Sequence, residues 1–404
     1  MDRRHFIRLV GGGSVLAATA VSQSGCSQLS SSLPPAALEA WQGPSALDTD
    51  PRRRALAYAI TAPNPHNLQP WLVDLREPNA ISIYTDPERV LPETDPFGRQ
   101  ILIGHGAFLE LLVMALRAQG VAAQVALWPQ GELPSALQAW DRRPIARITL
   151  APLAPGVTPD ALFKHILNRH TPKTDFDPAR SVTPATLQTL LGSVSSSALQ
   201  VAGTVDEARL QPLRELCWQS AKVELTTPRT MMESIKLIRL GPDEILQHRD
   251  GISINSPFVR AMSSVGMFDR SVPPAEGSAG YKSAMNRFDG HSRTAMGFVW
   301  LSTPGNSRSQ QIEAGRAYVR LQLKATELGV GVHPMSQPLQ EFVEMKPFYA
   351  KAHQLLLGKP APNAQAGQTA LTDDTVQMFC RLGYTAAPAP ATPRRAVNKF
   401  VLPS

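Results

Sequence analysis

Cysteine is nearly absent: the chain has three in 404 residues. Cys26, Cys217 and Cys380 lie far apart. No CxxC pair and no Cys/His cluster has metal-ligand spacing, so no metal site is expected. With Cys26 placed in an N-terminal signal, Cys217 and Cys380 could pair in an oxidising compartment or stay as two buried free thiols. One pair cannot make a disulfide framework. Long apolar runs are also missing near the N-terminus, where Leu9 to Val21 is too short to span a bilayer. No G-x-G-x-x-G follows a strand-like segment, so no dedicated nicotinamide domain is expected. Aromatics make up only 6% of the chain and are not interleaved with Lys/Arg runs, so nucleic acid is not an expected partner. The formal net charge of +7 is mild for this length, and part of it sits in Arg3, Arg4 and Arg8. A few of the remaining cations could serve a small anionic ligand. No catalytic triad presents itself.

The N-terminus carries an address. Arg3-Arg4-His5-Phe6-Ile7-Arg8 matches the twin-arginine pattern, and Leu9 to Val21 is a mildly apolar h-region. Residues 1–26 therefore read as an export signal. Two processing routes are open. Ala18-Thr19-Ala20 fits an A-x-A cleavage site. Ser24-Gly25-Cys26 resembles the end of a lipobox, which would place a membrane tether on Cys26. Residues 27–49 are Ser-, Pro- and Ala-rich and read as a tether. The expected location is outside the cytoplasm, periplasmic or lipid-anchored.

The densest stretch is Ala62-Pro63-Asn64-Pro65-His66-Asn67-Leu68-Gln69-Pro70-Trp71. Three prolines stiffen the backbone and restrict the residues before them. The Asn, His and Gln side chains add donors and acceptors at close spacing. Such a run suits either a rigid structural turn or a cradle for a flat heteroaromatic ligand.

Around it the chain divides in two. Residues 50–150 form a first half with a helix over 52–60, a strand at Ile81–Tyr84, a buried helix over 107–119 bounded by Gly106 and Gly120, and strands at 122–127 and 145–150. Residues 151–159 read as a linker. The second half, 160–404, opens with a helical stretch to Asn168. It runs into Arg169-His170-Thr171-Pro172-Lys173-Thr174-Asp175-Phe176, three potential cations that suit a phosphate or a solvated face. A strand at 296–301, a capping box at Ser307/Gln310, a helix over 312–328 and a strand at 330–332 follow. Met378–Leu382 could be another strand. The Pro/Ala-rich arm holding Pro393-Arg394-Arg395 could be a disordered tail. Residues 225–292 lack firm periodicity and read as a lid or arm over a site.

These pieces resemble the nitroreductase superfamily, the flavin mononucleotide (FMN) oxidoreductases. The family pattern APSSxNxQPW is matched by Ala62–Trp71. RRSxRxF is echoed by Arg169–Phe176, and GY…P…RRP by Gly383-Tyr384 and Pro393-Arg394-Arg395. More narrowly the chain resembles the Acg-like branch, in which one chain carries two nitroreductase-type halves. The resemblance implies an α+β, nitroreductase-like fold in which two tandem halves form an intrachain pseudo-dimer with a lid-like insert. It implies a monomer with one FMN site. Arg169, Lys173, Arg394 and Arg395 would hold the phosphate. Pro63, Asn64 and Asn67 would contact the flavin edge and ribityl chain from the other half. Backbone N–H groups of Ser336 or Gln337 would donate towards the flavin ring. The flavin carries the chemistry, so no catalytic side chain is implied. Departures stand at Pro65, which has no hydroxyl or N–H, at His66, an added polar group, and at His170, which replaces an Arg. The mirror-image site lacks a second proline-rich motif and is expected to be degenerate. The implied function is an exported oxidoreductase passing hydride or electrons through FMN to a small redox substrate, its partners being that substrate and the twin-arginine machinery. The alternatives are a flavin-sequestering protein with an occluded site and a flavin-free exported peptide-binding protein.

Overall fold

The computed structural model describes residues 31–194, 196–266, 268–362 and 374–403. The export signal expected over residues 1–26, with Cys26, lies outside the described residues.

The first half begins at α1 (Pro51–Ala59), where the Asp50 carboxylate accepts from Arg52 N and Pro51 takes a position that needs no N–H. β1 (Trp71–Asp74), β2 (Ala80–Thr85), α2 (Arg99–Ala118), β3 (Val121–Leu127) and β4 (Ala146–Pro152) follow. The strands pair antiparallel in the order β1-β2-β4-β3.

The second half contains α3 (Pro184–Leu191), β5 (Gln200–Thr204) and α4 (Glu207–Thr226). The insert carries α5 (Pro228–Lys236), β6 (Ile238–Leu240), α6 (Gly241–His248), β7 (Ile252–Ile254), α7 (Pro257–Ser264) and α8 (Ala279–Arg293). Then come β8 (Gly297–Thr303), α9 (Arg308–Glu327), β9 (Gly331–Pro334), α10 (Lys346–Leu357) and β10 (Thr375–Gly383). Ser307 and Gln310 close the capping box on α9. The second sheet is also antiparallel, in the order β5-β8-β10-β9. The architecture is α+β, as expected. In each half a 20-residue helix stands between the second and third strands, and the fourth strand pairs between them.

α2 and α9 cross at the centre. The sequence placed the start of α2 after Gly106, but the helix begins at Arg99 and runs straight through that glycine. Gly106 is a contact rather than a boundary. A Cβ there would lie 2.0 Å from the Ile312 carbonyl oxygen, and one on Gly315 would lie 2.0 Å from that of Ile103. The two helices touch backbone to backbone, which only glycine permits. An interior glycine costs a helix about 1 kcal/mol relative to alanine, and the close approach offsets it.

The crossing is reciprocal. Arg99 and Arg308 each open their helix, and both are buried. Arg99 donates into the second half, to the carbonyls of Leu339 and Gln377 at 2.6 Å each, and pairs with Glu341 at 3.1 Å. Arg308 donates into the first half, to the carbonyls of Phe97 at 2.8 Å and Ser135 at 2.9 Å. The hydrophobic cores interlock as well: Ile312, Val319 and Leu323 of α9 belong to the first half's core, and Ile103 of α2 to the second's.

Several boundaries move. Phe163–Asn168 is a 3-10 helix. β4 runs to Pro152, so the linker expected from residue 151 starts later. The tether expected over 27–49 gives way at Pro35–Gln42 to a 3-10 helix with Ala37 buried. The C-terminal arm is packed rather than a free tail: it crosses back to the first half, where Leu402 N donates to Val73 O at 2.8 Å. Cys217 and Cys380 are buried free thiols.

Gly315→Ala should destabilise the protein by about 3 kcal/mol, the upper end for overpacking, as read by denaturant unfolding. Gly280→Ala, whose nearest neighbour is Pro274 Cβ at 3.6 Å, should be neutral or slightly stabilising. Equal effects would contradict the crossing as the determinant of assembly.

Candidate ligand-binding site

A cavity of about 360 Å³ opens between the halves and beneath the insert. Its volume is at the lower end of the range of roughly 300–1,000 Å³ for small-molecule sites. Pro63, Asn64, Asn67, Arg169, Lys173, Ser336, Gln337 and Arg394 all line it. Arg395 does not.

The proline-rich motif forms one wall. His66, Asn67 and Gln69 have φ of 48°, 55° and 54°, the left-handed region that side chains with a Cβ disfavour. Hydrogen bonds hold this strain. Asn64 donates to Ala62 O at 3.0 Å and accepts from Gln69 N at 2.8 Å. Asn67 donates to Pro393 O at 3.0 Å and accepts from Arg394. Gln69 donates to Arg249 O of the insert at 2.9 Å and accepts from Arg395 N at 2.8 Å. The amides of Asn64 and Asn67 thus build the wall rather than standing free for a ligand. Arg395 is corrected in the same way: its guanidinium donates to Gln69 O at 2.6 Å, behind the motif.

Arg169, Lys173 and Arg394 converge from the second half. The protein partners of Arg169 are neutral oxygens: Thr61 O at 2.8 Å, Gln322 Oε1 at 3.1 Å and Thr171 Oγ1 at 3.3 Å. Arg394 meets Asn67, Thr392 Oγ1 at 2.7 Å and the Thr61 and Ala62 carbonyls at 3.3 Å each. The Nε atoms of Arg169 and Arg394 are buried without a partner among the described residues. Burial pushes the Arg394 guanidinium down to about 9, with Arg169 adding repulsion. It remains charged at neutral pH. Lys173 lines the cavity but is exposed to solvent, unlike the two guanidinium groups. Burial pushes its ammonium down to about 8, helped by Arg394 and Arg287. Cations gathered without carboxylate partners are costly unless an anion joins them.

His170 does not act as the third cation. Burial, then Arg169 and Arg394, holds its imidazole at about 4, so it is neutral at physiological pH. His66 is likewise held at about 4 by burial and Lys173, and its Nε2 lies 3.0 Å from Ser234 Oγ of the insert. His333, three residues before Ser336, accepts at Nδ1 from Arg381 Nε at 3.0 Å.

Among the lining residues not legible in the sequence, three carry polar or aromatic chemistry that bears on the site. Trp41 lay in the supposed tether. Its ring carries Arg169 at 5.7 Å and Arg394 at 5.2 Å, and its indole donates to Thr392 O at 2.8 Å. A Trp in a Ser/Pro/Ala stretch was the available signal. Arg287 on α8 and Glu224 on α4 also line the cavity, and neither sits in a motif. The insert closes the top: Met231, Ile235, Ile238, Ile252 and Ile254 face the space.

Inorganic phosphate should bind this cavity more weakly as pH rises through about 8, because Lys173 is a cation below that value and neutral above it. Calorimetric titration from pH 6.5 to 9.5 should show the step in the wild type, beyond the phosphate's own ionisation, and lose it in Lys173→Met. A step of equal size in the variant would remove Lys173 from the anion site.

No protein-family model matches the chain. Two curated proteins of Mycobacterium tuberculosis do resemble it along most of their length. The one named "Putative NAD(P)H nitroreductase Rv3131" is 25% identical over 377 residues, covering 89% of this chain and 95% of its own. The one named "Putative NAD(P)H nitroreductase acg" is 26% identical over 361 residues, covering 87% and 95%. Among solved structures, the FMN-dependent nitroreductase NfnB of Mycobacterium smegmatis in complex with NADPH is 18% identical, covering 60% of this chain and 92% of that one, with a TM-score of 0.32. A superposition at that score carries no functional argument. Along nearly its whole length, the chain is a relative of proteins named as NAD(P)H nitroreductases, in keeping with the resemblance its motifs carry.

Proposed function

We propose that this protein holds FMN in the cavity between its halves and acts as a nitroreductase-type oxidoreductase on a small redox substrate. The carrying observation is the group Arg169, Lys173 and Arg394: two buried guanidinium groups and a more exposed ammonium that line one cavity beside a rigid proline-rich wall, with no carboxylate partner among the described residues. The names of its relatives favour the same chemistry.

The residues fit the cofactor. Arg169 and Arg394 each keep a buried Nε–H without a partner among the described residues, and Lys173 adds an ammonium. Together they supply charge-assisted donors for a phosphate. Trp41 fixes the two guanidinium groups from one side. Pro63 and Pro65 give a stiff wall. Gln337 opens a single 3-10 turn, where the first N–H groups have no partner within the turn. When bound, the flavin supplies the redox chemistry, and the protein supplies orientation and exclusion of water. The motif and the cations come from opposite halves, so the site forms only when both are folded together, as a pseudo-dimer within one chain would require. The case for export rests on residues 1–26 alone; an exported protein would meet a reductant other than cytoplasmic NAD(P)H.

One observation favours the second reading, a flavin-holding protein with little turnover. The insert covers part of the cavity, and its volume of about 360 Å³ is near the lower end for small-molecule sites.

Protein purified from its native export route should carry flavin absorbance. Arg394→Ala should weaken FMN binding by tenfold or more, as one charge-assisted contact contributes about 1.5–3 kcal/mol; unchanged affinity removes the phosphate assignment. Stopped-flow mixing with NAD(P)H, quinols and dithionite separates the two readings. Rapid reduction by a biological donor supports the oxidoreductase, and reduction by dithionite alone supports storage.

A further inference from the structure

The cavity has a second end with the opposite character. Glu224, near the C-terminus of α4, lines it and is 6% exposed. Gln340, 5% exposed, donates to Glu224 Oε2 at 3.1 Å, and the Gln337 side chain lies near enough to favour the charged form of that carboxyl. The Oε1 atoms of Gln337 and Gln340 are buried with no partner among the described residues. Three side chains therefore present acceptor oxygens to one part of the cavity, and two of those oxygens are unsatisfied.

No cation is among the groups that bear on Glu224, which are Gln340, Gln337 and Glu233 of α5. The cations act on one another instead: Arg394 and Arg287 on Lys173, and Arg169 on Arg394. Burial pushes the Glu224 carboxyl up to about 7, the mark of a carboxyl with no positive partner. Leu225 and Met231 beside it are apolar. A buried acceptor left without a donor costs free energy.

We propose that Glu224, Gln337 and Gln340 form a hydrogen-bond-accepting subsite that recognises a ligand edge carrying N–H or O–H donors. Two sources have that chemistry: the N–H edge of the flavin ring, in which case the inference rests on the FMN reading, and a separate small phenol-like molecule seated against the apolar walls. An anion does not suit this end, which sets it apart from the phosphate end of the same cavity.

The test uses the purified full-length protein and three probes: FMN, riboflavin, which lacks the phosphate, and phenol. Affinities are measured by flavin fluorescence and calorimetry in the wild type, Glu224→Gln and Gln340→Leu, with thermal unfolding reporting on fold. A tenfold loss for FMN and riboflavin alike in folded Glu224→Gln assigns the donor edge to the flavin. Unchanged flavin binding with a tenfold loss for phenol assigns it to a second ligand. Either result supports the subsite. Unchanged affinity for all three probes in both variants overturns it. A wild type that binds phenol in a Glu224-dependent way but no flavin keeps the subsite and removes the FMN reading, so the two ideas fail separately.

Discussion

The backbone contact between Gly106 and Gly315 governs the rest of the molecule. It brings α2 and α9 closer than any side chain would allow, and the cavity is built on that pair. Gln100, Ile103 and Gly104 of α2 and Tyr318 of α9 all line it. Gly104 also seats the proline-rich wall, since a Cβ there would reach Asn64 Cβ at 3.1 Å. Moving the crossing by one methyl group would shift floor and wall together. Arg99 and Arg308 then lock the approach at its ends, each satisfying carbonyls of the opposite half. These buried charges are multiply hydrogen-bonded, the condition under which burying them is tolerable.

Sheet order is the same in both halves, yet the site lies on one side of the crossing. Topology shows why. After β9 the chain passes along the cavity through Ser336 and Gln337. After β3, at the corresponding place in the first half, comes Trp128 with φ 53°. Its indole donates to Ser309 Oγ at 2.9 Å, and its ring joins the first half's core. Trp140 stacks on Arg308 at 5.2 Å close by.

How far this was legible in the sequence depended on the range of the interactions. Strands with clear alternation, such as Ile81–Tyr84, and the capping box at Ser307/Gln310 were readable because their signals are local. So was the site's outline, because Ala62–Trp71 and Arg169–Phe176 are compact motifs. Gly106 misled because a glycine inside a helix looks like a boundary until its partner is known. Arg395 misled because adjacent arginines look alike in sequence, while the chain direction sends one guanidinium into the cavity and the other behind the wall. Glu224 and Arg287 carried no signal at all. Each becomes part of the site only through the packing of α4 and α8.

The insert decides what the cations can do. Packing apolar residues of the insert beside the buried Arg169 and Arg394 keeps water from charges with no carboxylate partner among the described residues, which is unfavourable unless an anion is already there. An anionic occupant and a closed insert therefore stabilise each other. The closed state is held at several points. Glu233 accepts from Glu93 N at 2.8 Å and Thr94 N at 3.0 Å. Asp250, 2% exposed, joins Arg89 at 2.6 Å and Arg239 at 2.8 Å. Gly251 N reaches Asn67 O within the proline-rich wall at 3.2 Å. Releasing the insert requires these contacts to break, and the oxidoreductase and storage readings differ in how often that must happen.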